Sequence, residues 1–178
     1  MFHSSIRDRP SYSERVSKKP SENYGMVSMK NEELTKYLKH MCTFFEAPMC
    51  PLERFILECG EDYIPAKRPK GVRKQADKMC FRNATQLALS NRDLEYVEGF
   101  AVNADIGFPL MHAWCVDKAD KVIDVTWRKP EGSMYRGVII PRYTLLIQLV
   151  KNNFYGLLDN GITINMDLIG ELRSKMGC

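Results

Sequence analysis

Apolar residues recur every three or four positions in five stretches of the chain, and each such stretch predicts an amphipathic helix. The first helix follows Asn31, a candidate N-cap, and Pro48 ends it. The second begins at Pro51 and ends at Gly60. The apolar positions of the five helices are, in chain order, Leu34, Tyr37, Leu38, Met41, Phe44 and Phe45; Leu52, Phe55, Ile56 and Cys59; Phe81, Ala84, Leu87 and Ala88; Leu146, Leu149, Val150 and Phe154; and Met166, Leu168, Ile169 and Leu172.

Four later stretches have the alternation or the short apolar runs that are typical of strands. They cover residues 96–102, 110–116, 121–127 and 135–140. Helices come first, and mostly antiparallel strands follow with helices around them. This order favours an α+β fold with a small antiparallel sheet over a doubly wound parallel sheet.

The first 27 residues are polar, rich in Ser, Arg, Lys and Pro, and have no apolar period. They predict a mobile N-terminal arm, followed by a single domain over residues 28–178. The longest apolar runs, such as residues 145–147, are far shorter than the roughly 18 residues that span a bilayer, which excludes a transmembrane protein. The first residues lack the apolar core of a secretion signal, which predicts a cytoplasmic location.

The cysteines favour free thiols over a disulfide framework. There are six, at Cys42, Cys50, Cys59, Cys80, Cys115 and Cys178. The chain is long enough to bury a core without disulfides, and its predicted location is reducing. No two cysteines have the CxxC spacing and only three histidines are present, so no structural zinc site is expected.

The net charge is +4, and much of the excess lies in the predicted loop over residues 65–78. This basic patch has six cations and one acid, Asp77. The cations are Lys67, Arg68, Lys70, Arg73, Lys74 and Lys78. Such a patch could attract an acidic protein or a nucleic acid, or remain a solvated loop. No aromatic residue is interleaved, which weakens the nucleic-acid interpretation.

A possible nucleophile, base and orienting carboxylate occur in order between residues 80 and 124. Cys80 begins a predicted helix, where the free amides and the helix dipole favour a thiolate and can receive the oxygen of a tetrahedral intermediate. His112 and Asp124 lie on consecutive predicted strands. A loop with an odd number of residues brings their side chains to one face of the sheet, whereas a two-residue turn sends them to opposite faces.

Four short motifs occur in order in this region: Cys80 with Ala84, then Tyr96-Val97-Glu98-Gly99-Phe100, then His112-Ala113-Trp114, then Asp124-Val125-Thr126. Together they resemble the transglutaminase-like branch of the papain-like cysteine superfamily. The resemblance covers about 50 of the 178 residues. It implies a helix that carries the nucleophile and packs on a small antiparallel sheet. The extra helices at both ends of the chain are predicted by the apolar periodicity and match no part of the family pattern. It also implies that Cys80 is the nucleophile, His112 the general base and then acid, and Asp124 the residue that orients His112.

Further residues are candidates for support of this triad. Gln75 lies upstream of Cys80, where papain-like enzymes often have a glutamine that stabilises the oxyanion. Trp114 either shields the His–Asp pair from water or is simply part of the core. Thr126 has the strand parity of Asp124 and could hydrogen-bond near it. Three positions depart from the family pattern: Lys78-Met79 replace the usual small residues before the nucleophile, and Val125 replaces a proline.

The resulting hypothesis is a cysteine-dependent acyl-transfer enzyme that acts on a protein, a peptide or a small amide. Water as acceptor would make it a peptidase or amidase, and an amine would make it a transglutaminase-type transferase. Neither a metal nor an organic cofactor is required. One alternative uses the same triad with an acyl thioester donor, as in arylamine N-acetyltransferases. Another is a non-catalytic, regulatory binding protein on the same scaffold, whose basic patch binds an acidic protein or nucleic acid.

Overall fold

The structure is a computed structural model that describes residues 23–45 and 49–178. In these ranges it has five helices and a five-stranded sheet, so the predicted α+β class is confirmed. The helices are α1 (Asn23–Phe44), α2 (Pro51–Cys59), α3 (Cys80–Ser90), α4 (Arg142–Asn152) and α5 (Met166–Met176). The strands are β1 (Glu61–Asp62), β2 (Glu95–Val102), β3 (Pro109–Val116), β4 (Val122–Ile123) and β5 (Met134–Ile140). None of the helices in the described ranges is long and apolar enough to cross a membrane.

The first three helices follow the sequence prediction in most respects. Helix α2 begins at Pro51, and the Gly60 N–H caps it by donating to the Ile56 carbonyl at 3.0 Å. Helix α3 begins at Cys80, as predicted. Helix α1 begins at Asn23 rather than after Asn31, because an Asn inside a helix costs less than about 1 kcal/mol and does not by itself start one. Most of the predicted N-terminal arm, residues 1–22, lies outside the described residues.

Helix α4 turns a different face to the core from the one predicted. Its buried residues are Thr144 and Leu145, whereas Leu146 and Val150 are 45% and 85% exposed. Phe154, predicted to extend this face, follows the helix and is also exposed. The Arg142 guanidinium donates to the Ala88 and Asn91 carbonyls at 2.5 and 2.9 Å, which ties the start of α4 to the end of α3. This attachment sets the rotation of the helix, which the apolar spacing alone does not fix.

The sheet is antiparallel throughout and has the order β1-β5-β2-β3-β4. Ile64, just after β1, forms a parallel bridge with Lys121, just before β4. The Ile64 N–H donates to the Asp120 carbonyl at 3.0 Å, and the Ile64 carbonyl accepts from Val122 at 2.9 Å. The two edges of the sheet therefore meet, and the sheet curls on itself.

The predicted strand over residues 121–127 is wrong beyond Ile123, because β4 contains only Val122–Ile123. Asp124 follows it directly, and its own side chain accepts hydrogen bonds from the next backbone N–H groups. Such local side-chain bonds replace the ladder of a strand. The chain then runs through a loop and a short 3₁₀ turn, Pro130–Gly132, to β5.

The two faces of the curled sheet bury separate apolar clusters. The convex face packs against the helices, and its residues include Tyr96, Ala113, Cys115 and Ile140. The concave face contains Tyr63, Val97, Ala101, Trp114, Val116, Val122 and Tyr135. A Cβ on Gly137 would lie 2.9 Å from Cη2 of Trp114 and 2.5 Å from the Glu98 carbonyl oxygen, so this glycine makes room for the indole.

A disulfide joins Cys59 to Cys178, whereas the sequence predicted that most of the cysteines are free thiols. The two residues are 119 positions apart, so no local spacing reveals the pair. They meet because α5 packs against α2, where the Arg173 guanidinium lies 5.5 Å from the Phe55 ring centroid and pairs with Glu58 at 2.6 Å. The other four cysteines are free.

Candidate active site

The turn between β3 and β4 brings His112 and Asp124 together on the concave face of the sheet. The Asp117 N–H donates to the Lys121 carbonyl at 3.1 Å, so the loop between them has three residues, 118–120. This odd number of loop residues puts both side chains on one face, as the predicted triad requires. His112 Nε2 lies 2.9 Å from Asp124 Oδ2, and both side chains are buried.

Asp124 accepts hydrogen bonds at both of its carboxylate oxygens. Oδ1 accepts from the N–H groups of Thr126 at 2.7 Å and Trp127 at 3.1 Å. Oδ2 accepts from His112 and from the Tyr135 hydroxyl at 3.0 Å. Burial raises the pKa of Asp124, but these bonds and the His112 charge outweigh it and lower the pKa below its usual value. The site therefore holds a buried carboxylate in its ionised form.

The Cys80 thiol lies close enough to the ring of His112 to raise the pKa of the imidazole. Because Nε2 is bonded to Asp124, Nδ1 is the ring nitrogen left for the sulfur. Helix α3 packs against β3, where Cys115 Sγ donates to the Ala84 carbonyl at 3.2 Å. Strand β4 pairs only with Cys115 and Val116, so His112 has no β4 neighbour across that side of β3.

Cys80 and Asp124 together raise the pKa of His112. Burial of the ring is the largest influence and lowers the pKa. The hydrogen bond to Asp124, the hydrogen bond to Cys80 and the negative charges of both groups act in the opposite direction. The net result raises the pKa of His112 to about 9, so the ring is an imidazolium at neutral pH.

The aromatic ring directly on His112 belongs to Trp127. The two ring centroids are 4.0 Å apart and the planes are tilted by only 11°. Trp114, the candidate shield in the sequence, is fully buried with its centroid 6.1 Å from that of His112, and it packs against Tyr63 and Tyr135. Trp114 is thus a core residue next to the site, while Trp127 covers the imidazole.

The basic loop before Cys80 is attached to the segment after Asp124 by three sets of hydrogen bonds. The Arg68 guanidinium donates to the Trp127 carbonyl at 2.5 Å, and the Gln75 N–H donates to the Val125 carbonyl at 2.6 Å. Asn83 Nδ2, in the first turn of α3, donates to the Ala76 carbonyl at 2.7 Å and to Thr126 Oγ1 at 3.0 Å. These bonds fix the nucleophile helix relative to the loop that carries the triad carboxylate.

The six cations of the basic patch divide into two groups. Arg68 is half-buried and structural, and Lys74 pairs with Asp77 at 2.5 Å. The other four, Lys67, Lys70, Arg73 and Lys78, are exposed. Arg68 and Lys74 of the predicted patch are therefore bonded within the chain, and the other four cations are available to a binding partner.

The other free cysteines lie in environments unlike that of Cys80. Burial raises the pKa of Cys115 to about 12. Burial and the neighbouring Cys50 raise the pKa of Cys42 to about 11. Cys50 is buried, whereas Cys80 is partly exposed and contacts a histidine. Cys80 is therefore the thiol that is best placed to react with a dissolved electrophile.

Sequence reasoning missed the buried carboxylate of Glu98 on β2. Its oxygens accept from the Tyr96 hydroxyl at 2.6 Å and from the N–H groups of Leu157 and Leu158 at 2.8 and 2.9 Å. Burial raises the pKa of Glu98 to about 7 although these bonds oppose the rise. A charged residue within an otherwise apolar strand was the available signal. Glu98 holds the segment after α4 onto the convex face.

Sequence reasoning also missed Tyr135, Trp127, Asn83 and the structural role of Arg68. Tyr135, Asn83 and Arg68 bond to partners that are distant in the chain. Trp127 lies in a loop that the sequence predicted to be a strand. Among the described residues, no cluster of three or more His, Cys, Asp or Glu side chains could hold a metal ion.

Comparison with known proteins adds no relative. No protein-family model, no curated protein and no solved structure matches this chain. The function of the site must therefore be argued from its own geometry.

Proposed function

We propose that this chain is a cysteine-dependent acyl-transfer enzyme of the transglutaminase-like kind, with Cys80, His112 and Asp124 as its catalytic triad. The observation that carries the proposal is the position of the His112 ring, whose Nε2 lies 2.9 Å from Asp124 Oδ2 and which lies close enough to Cys80 for the thiol to raise the pKa of the imidazole. A nucleophile, a base within hydrogen-bond reach and a group that orients the base are the parts that covalent catalysis needs.

The reaction that fits this arrangement proceeds through a thioester. The Cys80 thiolate attacks the carbonyl carbon of an amide, and the carbonyl electron pair moves onto its oxygen. When the tetrahedral intermediate collapses, the C–N bond breaks and the His112 imidazolium gives its proton to the leaving nitrogen. Water or an amine then attacks the thioester and gives a proton to His112, and the C–S bond breaks to restore the thiolate. Asp124 remains ionised and keeps the imidazole oriented.

The start of α3 offers donors for the oxygen that becomes negative in this reaction. The first N–H groups of a helix have no partner within the helix, and no side chain caps this end at Met79. Donors at a developing oxyanion are commonly worth about 3 kcal/mol each. Gln75, whose backbone is fixed to Val125, is the nearest upstream candidate for an additional donor.

Loss of Cys80 provides the direct test of the proposed function. We expect Cys80→Ala to abolish labelling by iodoacetamide at pH 7, with urea unfolding like that of the wild type. The reason is that the remaining free thiols are buried or have a raised pKa. Cys115→Ala is the matched control, since Cys115 lies on the opposite face of β3 and should leave labelling unchanged.

Equal labelling of Cys80→Ala and the wild type would remove the nucleophile assignment. Slow labelling of Cys80 that does not depend on His112 would instead favour a non-catalytic binding protein, for which the exposed cations Lys67, Lys70, Arg73 and Lys78 are the supporting observation. The same alkylation assay on His112→Gln separates the two cases, because only an activated thiol slows when its imidazole is removed.

A further inference from the structure

Two basic segments meet beside the candidate nucleophile. One is the loop before α3, and the other is the start of the loop that follows Trp127. They are held together by the Arg68 and Gln75 hydrogen bonds to the Trp127 and Val125 carbonyls. The exposed cations of the two segments are Lys67, Lys70, Arg73, Lys78, Arg128 and Lys129. Because the segments are tied together, these charges form one surface rather than two separate solvated loops.

The carboxylates near this surface do not neutralise it. Asp77 is already paired with Lys74 at 2.5 Å. Glu131 is the other acid in these two segments, and the six exposed cations outnumber it. Within the described part of the chain, the structure gives none of the four loop cations Lys67, Lys70, Arg73 and Lys78 a carboxylate partner. The surface therefore has a net positive charge that an incoming molecule could neutralise.

The backbone before the nucleophile keeps this charge close to Cys80. Lys78 has φ of +60°, a left-handed conformation that a lysine rarely adopts. The Asn83 side chain donates a hydrogen bond to the Ala76 carbonyl, which holds the chain just before Lys78 against the first turn of α3. Two residues of chain span at most about 7 Å, so the Lys78 backbone lies well within a Debye length, about 10 Å, of Cys80. The Lys78 side chain starts from this point, so its charge lies in the neighbourhood of Cys80.

We propose that the acyl donor that Cys80 accepts is an acidic polypeptide segment, with Asp or Glu side chains flanking the reacting amide. This proposal rests on the proposed function, since it concerns the substrate of the same thiol. A polypeptide fits better than a nucleic acid for two reasons. The chemistry at Cys80 acts on an amide carbonyl, and residues 65–79 contain no aromatic ring on which bases could stack.

The proposal is tested with two matched electrophiles, a chloroacetyl peptide with four glutamates and one with four glutamines. We expect the full chain to alkylate at Cys80 about tenfold faster with the glutamate peptide at low ionic strength. The ratio should fall towards one at high salt, because screening weakens exposed charges. Replacing Lys67, Lys70, Arg73 and Lys78 together by Gln should also lower the ratio well below its wild-type value.

The matched control removes the same number of charges elsewhere. Lys36, Lys39, Arg92 and Lys151 are exposed on α1, after α3 and on α4, and changing these four to Gln should preserve the ratio. A ratio near one in the wild type, or a ratio that survives in the patch variant, would overturn the proposal. So would stronger protection of Cys80 by a single-stranded oligonucleotide than by polyglutamate of equal charge, which would point to a nucleic acid.

These outcomes differ from a failure of the proposed function. If His112→Gln alkylates as fast as the wild type with the glutamine peptide, the triad is wrong, whatever the ratio between the two peptides. If His112→Gln slows both reactions but the wild-type ratio is one, the triad stands and the acidic substrate is wrong.

Discussion

Changing Asp124 to Asn is expected to reduce the alkylation rate of Cys80 at pH 7 about tenfold to a hundredfold while the chain remains folded. The substituted side chain would keep an oxygen for the Thr126 and Trp127 N–H groups, but it would present an amide N–H to His112 Nε2. The ring would then carry its proton on Nδ1 without becoming an imidazolium, and an uncharged ring stabilises the Cys80 thiolate much less. Second-order rates with iodoacetamide measure the effect directly.

Asp124→Ala should in addition lower the free energy of unfolding by about 3–5 kcal/mol, the usual cost of breaking a buried charge pair. It leaves His112 and the Tyr135 hydroxyl without the acceptor that both now share at Oδ2. Urea unfolding at pH 7 measures the loss. Asp93→Asn is the control, because its ion pair with Lys118 is exposed and should be worth less than about 1 kcal/mol. An Asp124→Ala variant that is as stable and reactive as the wild type would contradict the site described above.

The second large effect is a dependence of stability on pH that originates at His112. Its pKa rises from the usual 6.5 to about 9 in the folded chain. The stabilisation is therefore complete below pH 6.5 and is lost as the pH rises through 9, and a shift of this size corresponds to on the order of 3 kcal/mol. The lowered pKa of Asp124 acts at the acid end, where its contribution is lost as the pH falls below the usual carboxyl range.

A comparison of wild type with His112→Gln isolates this effect, because the raised pKa of Glu98 affects both proteins alike. The difference between their free energies of unfolding should be larger at pH 6 than at pH 10. A difference between wild type and His112→Gln that grows with pH would mean that His112 is buried as the neutral ring.

The elements that carry the candidate site were predictable from local pattern. The start of α3 at Cys80 and the span of β3 follow from periodicity, which depends on residues close in the chain. The shared face of His112 and Asp124 also needs a loop with an odd number of residues, and the sequence left a two-residue turn open as the alternative. The boundary of α1 and the exposed face of α4 could not be read this way, because contacts with other elements decide them.

What completes the site depends on contacts between distant residues. The ring stacked on His112 is that of Trp127. Trp127 lies in a loop because the Asp124 side chain accepts backbone hydrogen bonds and so ends β4 early. Tyr135 reaches Asp124 from β5, and Arg68 reaches the Trp127 carbonyl across 59 residues. The Cys59–Cys178 disulfide is another such contact. Periodicity cannot predict any of these pairings, because they depend on how the sheet curls and how the helices pack on it.

The most direct test of the central claim is the titration of His112 followed by NMR in the wild type and in Cys80→Ala. The chain has three histidines, so the signals can be assigned by single substitutions. We expect His112 to titrate with a pKa of about 9 in the wild type and at a lower pH without Cys80, because the thiol group contributes to the raised value. Titration near 6.5, unchanged by the loss of Cys80, would show that sulfur and imidazole do not meet and would contradict the account.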